Sequence, residues 1–157
     1  MIQLIIRKGE PADAEGLERI EQACFSVPWS LDSLRRDLEE NPKALYIVAE
    51  KDGCLIGYVS VWNIREEGHI NNVAVLPEYQ GKHVASLLMS ALIRVTEDSG
   101  VKSHTLEVRA GNAAAQHLYE KFGFRSVGTR PNYYEDDGED AVIMWRIGDP
   151  EQREEES

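Results

Sequence analysis

The residues from His69 to Ser86 constrain this chain more than any other segment. His69-Ile70-Asn71-Asn72-Val73-Ala74-Val75 has the composition of a strand, Leu76-Pro77-Glu78-Tyr79 interrupts it, and Gln80-Gly81-Lys82-His83-Val84-Ala85-Ser86 opens a strongly amphipathic helix. Where a strand hands over to a helix, free backbone N–H groups and the positive end of the helix dipole converge. Such a turn can hold a pyrophosphate without a dedicated basic side chain. Taken alone, the segment fits equally well a strand–helix junction whose Gly81 and Lys82 serve turn geometry and solubility.

A length of 157 residues suits one domain with a single core. The expected division is a folded unit over 1–147 and an acidic, solvated tail over 148–157, because the last residues carry charge and no apolar anchor. No apolar run approaches the length that crosses a bilayer, and Met1–Arg7 reads as a first strand too short for a signal peptide, so a cytoplasmic protein is expected. The formal charge of −11 argues against nucleic acid as principal ligand and for a basic partner. Cys24 and Cys54 lack metal or redox spacing and are expected to be small buried hydrophobes.

Along the chain, Ala14, Leu17, Ile20 and Cys24 recur at helical spacing, as do Leu31, Leu34 and Leu38 after the N-cap Ser30. Ala44–Glu50 and Cys54–Ile64 read as strands joined by a three-residue turn, Lys51-Asp52-Gly53. Arg65–Gly68 reads as a second turn, so the strand from His69 to Val75 completes a meander. The helix that follows puts Val84, Leu87, Leu88, Ala91, Leu92 and Val95 on one stripe and ends at Gly100. A strand to Arg109, a helix capped by Asn112, and strands over 124–130 and 141–147 complete the order. Together these describe an α/β chain with a mixed sheet and helices on both faces.

Two groups stand out on this scaffold. Alternation places Thr105, Glu107 and Arg109 on one side of their strand, opposite Leu106 and Val108. Asn112 and Tyr119 are two helical turns apart, so one helix face is expected to present both. Strand end and helix can then line a cleft with a carboxylate and a phenol. The bland alternative pairs Glu107 with Arg109 or solvent and buries Tyr119 in the core.

The runs Asn72–Ala85, Leu106–Ala115 and Leu118–Phe124 resemble the GNAT superfamily of acetyltransferases. Within it, Phe25-Ser26-Val27-Pro28-Trp29-Ser30, Arg130–Tyr134 and Asp140–Met144 are similar to the RimI type, which acetylates the N-terminal alanine of a small-subunit ribosomal protein. The resemblance covers nearly the whole chain apart from the tail. It implies a mixed, mostly antiparallel sheet of about seven strands with a splay between the fourth and fifth. The family pattern is Gln or Arg, two residues, Gly, one residue, then Gly or Ala. Gln80 and Ala85 match it, while His83 stands at the inner Gly. A positive φ there would strain a histidine, so a helix-start conformation with the side chain in solvent is expected.

By the resemblance, acetyl-CoA is the acetyl donor. Val73, Ala74 and Val75 meet its acetyl and pantetheine part, Gly81, Lys82, His83, Val84, Ala85 and Ser86 cradle its pyrophosphate, and Asn112 binds the pantetheine arm. Glu107 matches the general base and Tyr119 the acid that protonates the departing thiolate, with the Val75 N–H as oxyanion donor. The acceptor implied is a basic protein or peptide N-terminus, that of a ribosomal protein, in a groove formed by Trp29, Tyr133 and Tyr134; for the tyrosines, packed loop anchors are an equal reading. No metal is implied, since His69, His83, His104 and His117 lack ligand spacing, and neither membrane nor nucleic acid is an expected partner. Acetylation of a lysine or a small amine, or non-catalytic acyl-CoA binding, are the alternatives.

Overall fold

The computed structural model describes residues 4–81 and 83–148. Lys82 and the segment 149–157, where most of the expected tail falls, lie outside the described residues. The chain runs β1 (Leu4–Lys8), α1 (Ala14–Cys24), α2 (Leu31–Glu40), β2 (Ala44–Lys51), β3 (Cys54–Ile64), β4 (Glu67–Val75), α3 (Val84–Asp98), β5 (Ser103–Arg109), α4 (Ala113–Lys121), β6 (Arg125–Arg130) and β7 (Ala141–Ile147). The strands form one seven-stranded sheet in the order β1-β2-β3-β4-β5-β7-β6, in which only β4 and β5 pair in parallel.

Alternation along β2 sends neighbouring residues to opposite faces, each with its own apolar cluster. Tyr46 and Val48 pack with Leu17 and Ile20 of α1 and Leu34 of α2. Ile47 and Ala49 pack on the other face with Leu88, Met89 and Leu92 of α3 and Tyr119 of α4. Burial of each Leu or Ile is worth roughly 1.5–3 kcal/mol, so these faces, more than helix propensity, hold the helices in place. Ser30 caps α2 as expected, its hydroxyl accepting the Ser33 N–H.

The structure corrects several local readings. On α3 the buried stripe is Val84, Leu88, Met89, Leu92, Ile93 and Thr96, whereas Leu87 and Val95 are exposed. The apolar surface of this helix is wide enough that its composition leaves the centre of the stripe open. The first hairpin is a two-residue turn: Lys51 pairs with Cys54, and Asp52 and Gly53 both take positive φ, 51° and 82°. Cys54 is exposed and Cys24 half-buried. The second turn is Arg65-Glu66, so β4 starts at Glu67. Gly68 is a close-packing residue inside β4, where a Cβ would meet His104 Cδ2 at 3.1 Å and Val61 Cγ2 at 3.2 Å. Among the described residues, no helix is long and apolar enough to cross a membrane.

Candidate active site

The parallel pairing of β4 with β5 lasts for three residue pairs, Glu67–Ser103, Gly68–His104 and His69–Thr105. Beyond it β4 keeps only β3, while β5 pairs along its full length with β7. The register shift on β4, from Ile70 opposite Val61 to Asn72 opposite Ser60, leaves Asn71 as an extra residue. A bulge of this kind bends and twists its strand. A gap therefore opens toward the C-terminal end of β4. Leu76 donates its N–H to Ile56 of β3 at 2.8 Å. Because amides alternate between the two edges of a strand, Ala74 turns its N–H toward β3, and Val73 and Val75 turn theirs into the gap. The Val75 carbonyl accepts from Gln80 Nε2 at 3.0 Å and from Cys24 Sγ at 3.3 Å.

After the short turn Pro77–Tyr79, Gly81 has φ 78° and His83 has φ 66°, ψ 12°. The expectation of a helix-start conformation at His83 is thus corrected: the histidine occupies the left-handed region that a glycine fills in the family pattern. Histidine is among the few side chains enriched there, and its exposure leaves the ring free of close packing. The His83 side chain does not cap α3, and the first turn of α3 carries no acidic residue. The first intrahelical bond onto this end runs from Leu87 N to His83 O at 3.1 Å, so the amides of Val84, Ala85 and Ser86 lack helical acceptors. An anion fits this end of the helix.

On the α1–α2 face of the sheet, His69 Nε2 and Glu107 Oε2 are 2.8 Å apart, both side chains partly buried. The hydrogen bond to His69 holds the Glu107 carboxyl below its ordinary range despite burial, and Glu107 in turn raises His69. Arg130 lowers both. In the sequence His69 enters only as a histidine without metal-ligand spacing. Its signal lay in the register: His69 pairs with Thr105, which shares a strand face with Glu107, so the two stand diagonally across the last bonded pair.

Tyr119 lies on the other face, 8% exposed, its ring 5.9 Å from that of Phe124. Burial, reinforced by Tyr134, pushes its hydroxyl up to about 12. Tyr134 is raised to about 12, mainly by burial, and also feels Glu107, so it couples electrostatically to both candidate groups. Asn112 and Tyr119 do not share a helix face. Asn112 is the cap, outside the helical repeat at φ −92° and ψ 76°, and its Oδ1 accepts the Ala115 N–H at 3.1 Å.

Arg109 does not pair with Glu107. Its guanidinium binds Asp136 through Nη2 at 2.8 and 3.0 Å and reaches Asp137 and Glu139 through Nη1 at 3.1 and 3.2 Å, while lying 4.0 Å over the Tyr134 ring. Tyr133 and Tyr134 meet edge to face at 5.1 Å. The β6–β7 loop so ordered touches the α1–α2 connection, where the Ser26 hydroxyl donates to Asp136 Oδ2. Trp29 packs against the α1–α2 cluster and donates its backbone N–H to Glu21. Among the described residues no group of three or more His, Cys, Asp or Glu could hold a metal ion.

A strand edge of free amides, an anion-ready helix start and a carboxylate–imidazole pair make a site for acyl transfer from a phosphate-bearing donor. Residues 14–124 match the Acetyltransferase (GNAT) family. The chain belongs to this family. It is 41% identical over 140 residues to a putative ribosomal protein bS18-alanine N-acetyltransferase of Bacillus subtilis (strain 168), covering 89% of this chain and 93% of the relative. It is 35% identical over 137 residues to the ribosomal protein bS18-alanine N-acetyltransferase of Escherichia coli (strain K12), covering 86% and 91%. The crystal structure of the ribosomal-protein-S18-alanine N-acetyltransferase from Escherichia coli superposes with a TM-score of 0.85 at 33% identity over 92% of this chain and 94% of that one. This GNAT chain is an acetyl-CoA-dependent N-acetyltransferase, and its splayed sheet is that of its relatives.

Proposed function

We propose that this chain acetylates the N-terminal α-amine of a protein, with the N-terminal alanine of a ribosomal protein as its acceptor. The observation that carries the reading is the His69–Glu107 pair, set at the mouth of the gap on the face that also bears the acidic β6–β7 loop. The names of the relatives support the acceptor, and an acceptor of this kind places the work in the cytoplasm.

Acetyl-CoA supplies a thioester carbonyl. Val73 and Val75 offer it the amides that β5 leaves unpaired, and Ala74 holds that edge in register through β3. Gly81, His83, Val84, Ala85 and Ser86 would present backbone donors to the pyrophosphate, and Asn112 would hold the pantetheine arm. An incoming α-amine, with pKa about 7.7–8.0, must give up a proton to attack. The His69–Glu107 pair accepts it as a unit, Glu107 orienting the imidazole and raising its proton affinity. The Val75 N–H stabilises the oxyanion, and Tyr119 returns a proton to the leaving thiolate. Trp29, Tyr133 and Tyr134 border the acceptor groove, and the carboxylates near Arg109 attract a basic peptide.

A peptide panel tests this. With acetyl-CoA, thiol release should be fastest for a free N-terminal alanine followed by basic residues. Equal turnover of an N-blocked, lysine-containing peptide or of a polyamine would overturn the α-amine assignment.

A further inference from the structure

Glu21 sits on the core face of α1 with no exposed surface, within the cluster of Leu17, Ile20, Leu34 and Tyr58. Its Oε1 accepts the Trp29 N–H at 3.1 Å. Tyr58 is the side chain whose hydroxyl acts on the carboxyl, while Oε2 is buried without a well-directed hydrogen bond. The groups acting on Glu21 include no cation, and burial raises its carboxyl above the ordinary range. Such a group is a poor choice for stability alone, because an apolar side chain would fill the space without the desolvation cost.

The partners of Glu21 lead in two directions. Asn72 Nδ2 donates to the Tyr58 oxygen at 3.2 Å, which leaves the Tyr58 hydrogen for Glu21. Asn72 immediately precedes Val73 on the gap edge, and Tyr58 is the β3 partner of Ala74. Cys24, one turn beyond Glu21, donates its thiol to the Val75 carbonyl. In the other direction, Trp29 ends the segment whose Ser26 grips Asp136 of the acidic loop. A carboxylate serves here because it is an acceptor only: the Trp29 amide donates to one oxygen, and the Tyr58 hydroxyl is the group that acts on it from β3.

We propose that Glu21 is a positioning residue for acceptor binding: it fixes the Phe25–Trp29 segment against the gap edge of β4, and so sets the reach between the acceptor groove and the reacting carbonyl. The inference rests on the reading of this chain as an N-terminal acetyltransferase. Its test is a split between the two substrates. Glu21→Ala should raise KM for an alanine-initiated basic peptide by about tenfold or more, the scale of a lost hydrogen bond to a charged group, while acetyl-CoA affinity measured by calorimetry stays unchanged. Glu21→Gln keeps an oxygen for the Trp29 N–H and should recover most of the peptide KM. Tyr58→Phe should raise it by an intermediate amount. A wild-type peptide KM in Glu21→Ala, a parallel loss of acetyl-CoA affinity, or a Gln variant no better than Ala would each overturn the proposal. Should Glu21→Ala fail to fold, an unchanged peptide KM in Tyr58→Phe would do so. Failure of the underlying reading looks different: the wild-type protein would then release no coenzyme A with this peptide.

Discussion

Glu107 and His69 bind protons as one unit, because each sets the other's affinity through a 2.8 Å hydrogen bond. In its proposed role the pair must be short of a proton, so kcat/KM should rise with pH through the raised range of His69 and on through that of the amine. Glu107→Gln is expected to lower kcat roughly 10²–10⁴-fold with acetyl-CoA affinity intact. In His69→Gln the limb that belongs to the raised imidazole should vanish and activity should extend to lower pH, toward the range of the Glu107 carboxyl, even though that carboxyl has lost the partner that depresses it; a pH–rate profile identical to wild type would remove His69 from the chemistry. Tyr119→Phe preserves the packing against Phe124 and should lose rate without losing thermal stability. The family motifs single out Glu107 and Tyr119 as candidates. No motif singles out His69, because its hydrogen bond to Glu107 depends on the register of two strands far apart in sequence. At His83, glycine should leave stability unchanged or higher and preserve acetyl-CoA binding, whereas His83→Val should cost about 1–3 kcal/mol, since a β-branched residue is badly strained at φ 66°. Equal melting temperatures for the two variants would show that this backbone position is not held.

The β6–β7 loop takes its order from a residue outside itself. Its polarity and its two tyrosines are plain in the sequence, but the organising residue, Arg109, lies on β5 and meets Asp136, Asp137 and Glu139 only in the fold. Asp136 is held at about 2, first by the Ser26 hydroxyl and then by Arg109, so it stays ionised at any working pH. Arg109→Ala should therefore raise the peptide KM several-fold with little effect on acetyl-CoA affinity. Arg109→Lys should not rescue it, because a lysine cannot reproduce the two-pronged contact or lie flat on Tyr134. An unchanged peptide KM in both variants would separate loop order from acceptor binding. The succession of elements in the second half and the capped helices α2 and α4 are readable from periodicity and turn residues, whereas the placing of β7 between β5 and β6 is not. The start of β4 differs from the pattern because Gly68, which in sequence looks like a turn glycine, serves the tight contact with Val61 and His104.

For the molecule as a whole, acid stability depends on His104, which is fully buried against the Thr96 hydroxyl. Burial is the main cause that lowers it to about 4, with Arg146 adding to the effect. Below the ordinary histidine value the unfolded chain takes up a proton that the folded chain refuses, so stability falls as pH drops from about 6.5 toward 4, by about 3 kcal/mol from this group. His69 works in the opposite sense: its raised affinity stabilises the fold at low pH, and that contribution fades as pH rises through its folded value. A His104→Leu variant should melt with a shallower dependence between pH 7 and 5 than wild type. The net charge of −11 predicts a further behaviour, a peptide affinity that weakens with added salt more than acetyl-CoA affinity does.

Backbone pairing between β4 and β5 covers only three residue pairs, so the gap divides the sheet into two hydrogen-bonded ladders, β1–β4 and β5–β7–β6, that meet along one short seam beside the His69–Glu107 bond. Amide hydrogen exchange should register this residue by residue. Val73 and Val75 should exchange quickly and Ala74 slowly, an alternation along a single strand. Acetyl-CoA should abolish it by lending the two exposed amides the acceptors that β5 withholds. The donor substrate would then act as a removable splint, bridging the two ladders at the place where their own amides and carbonyls do not meet.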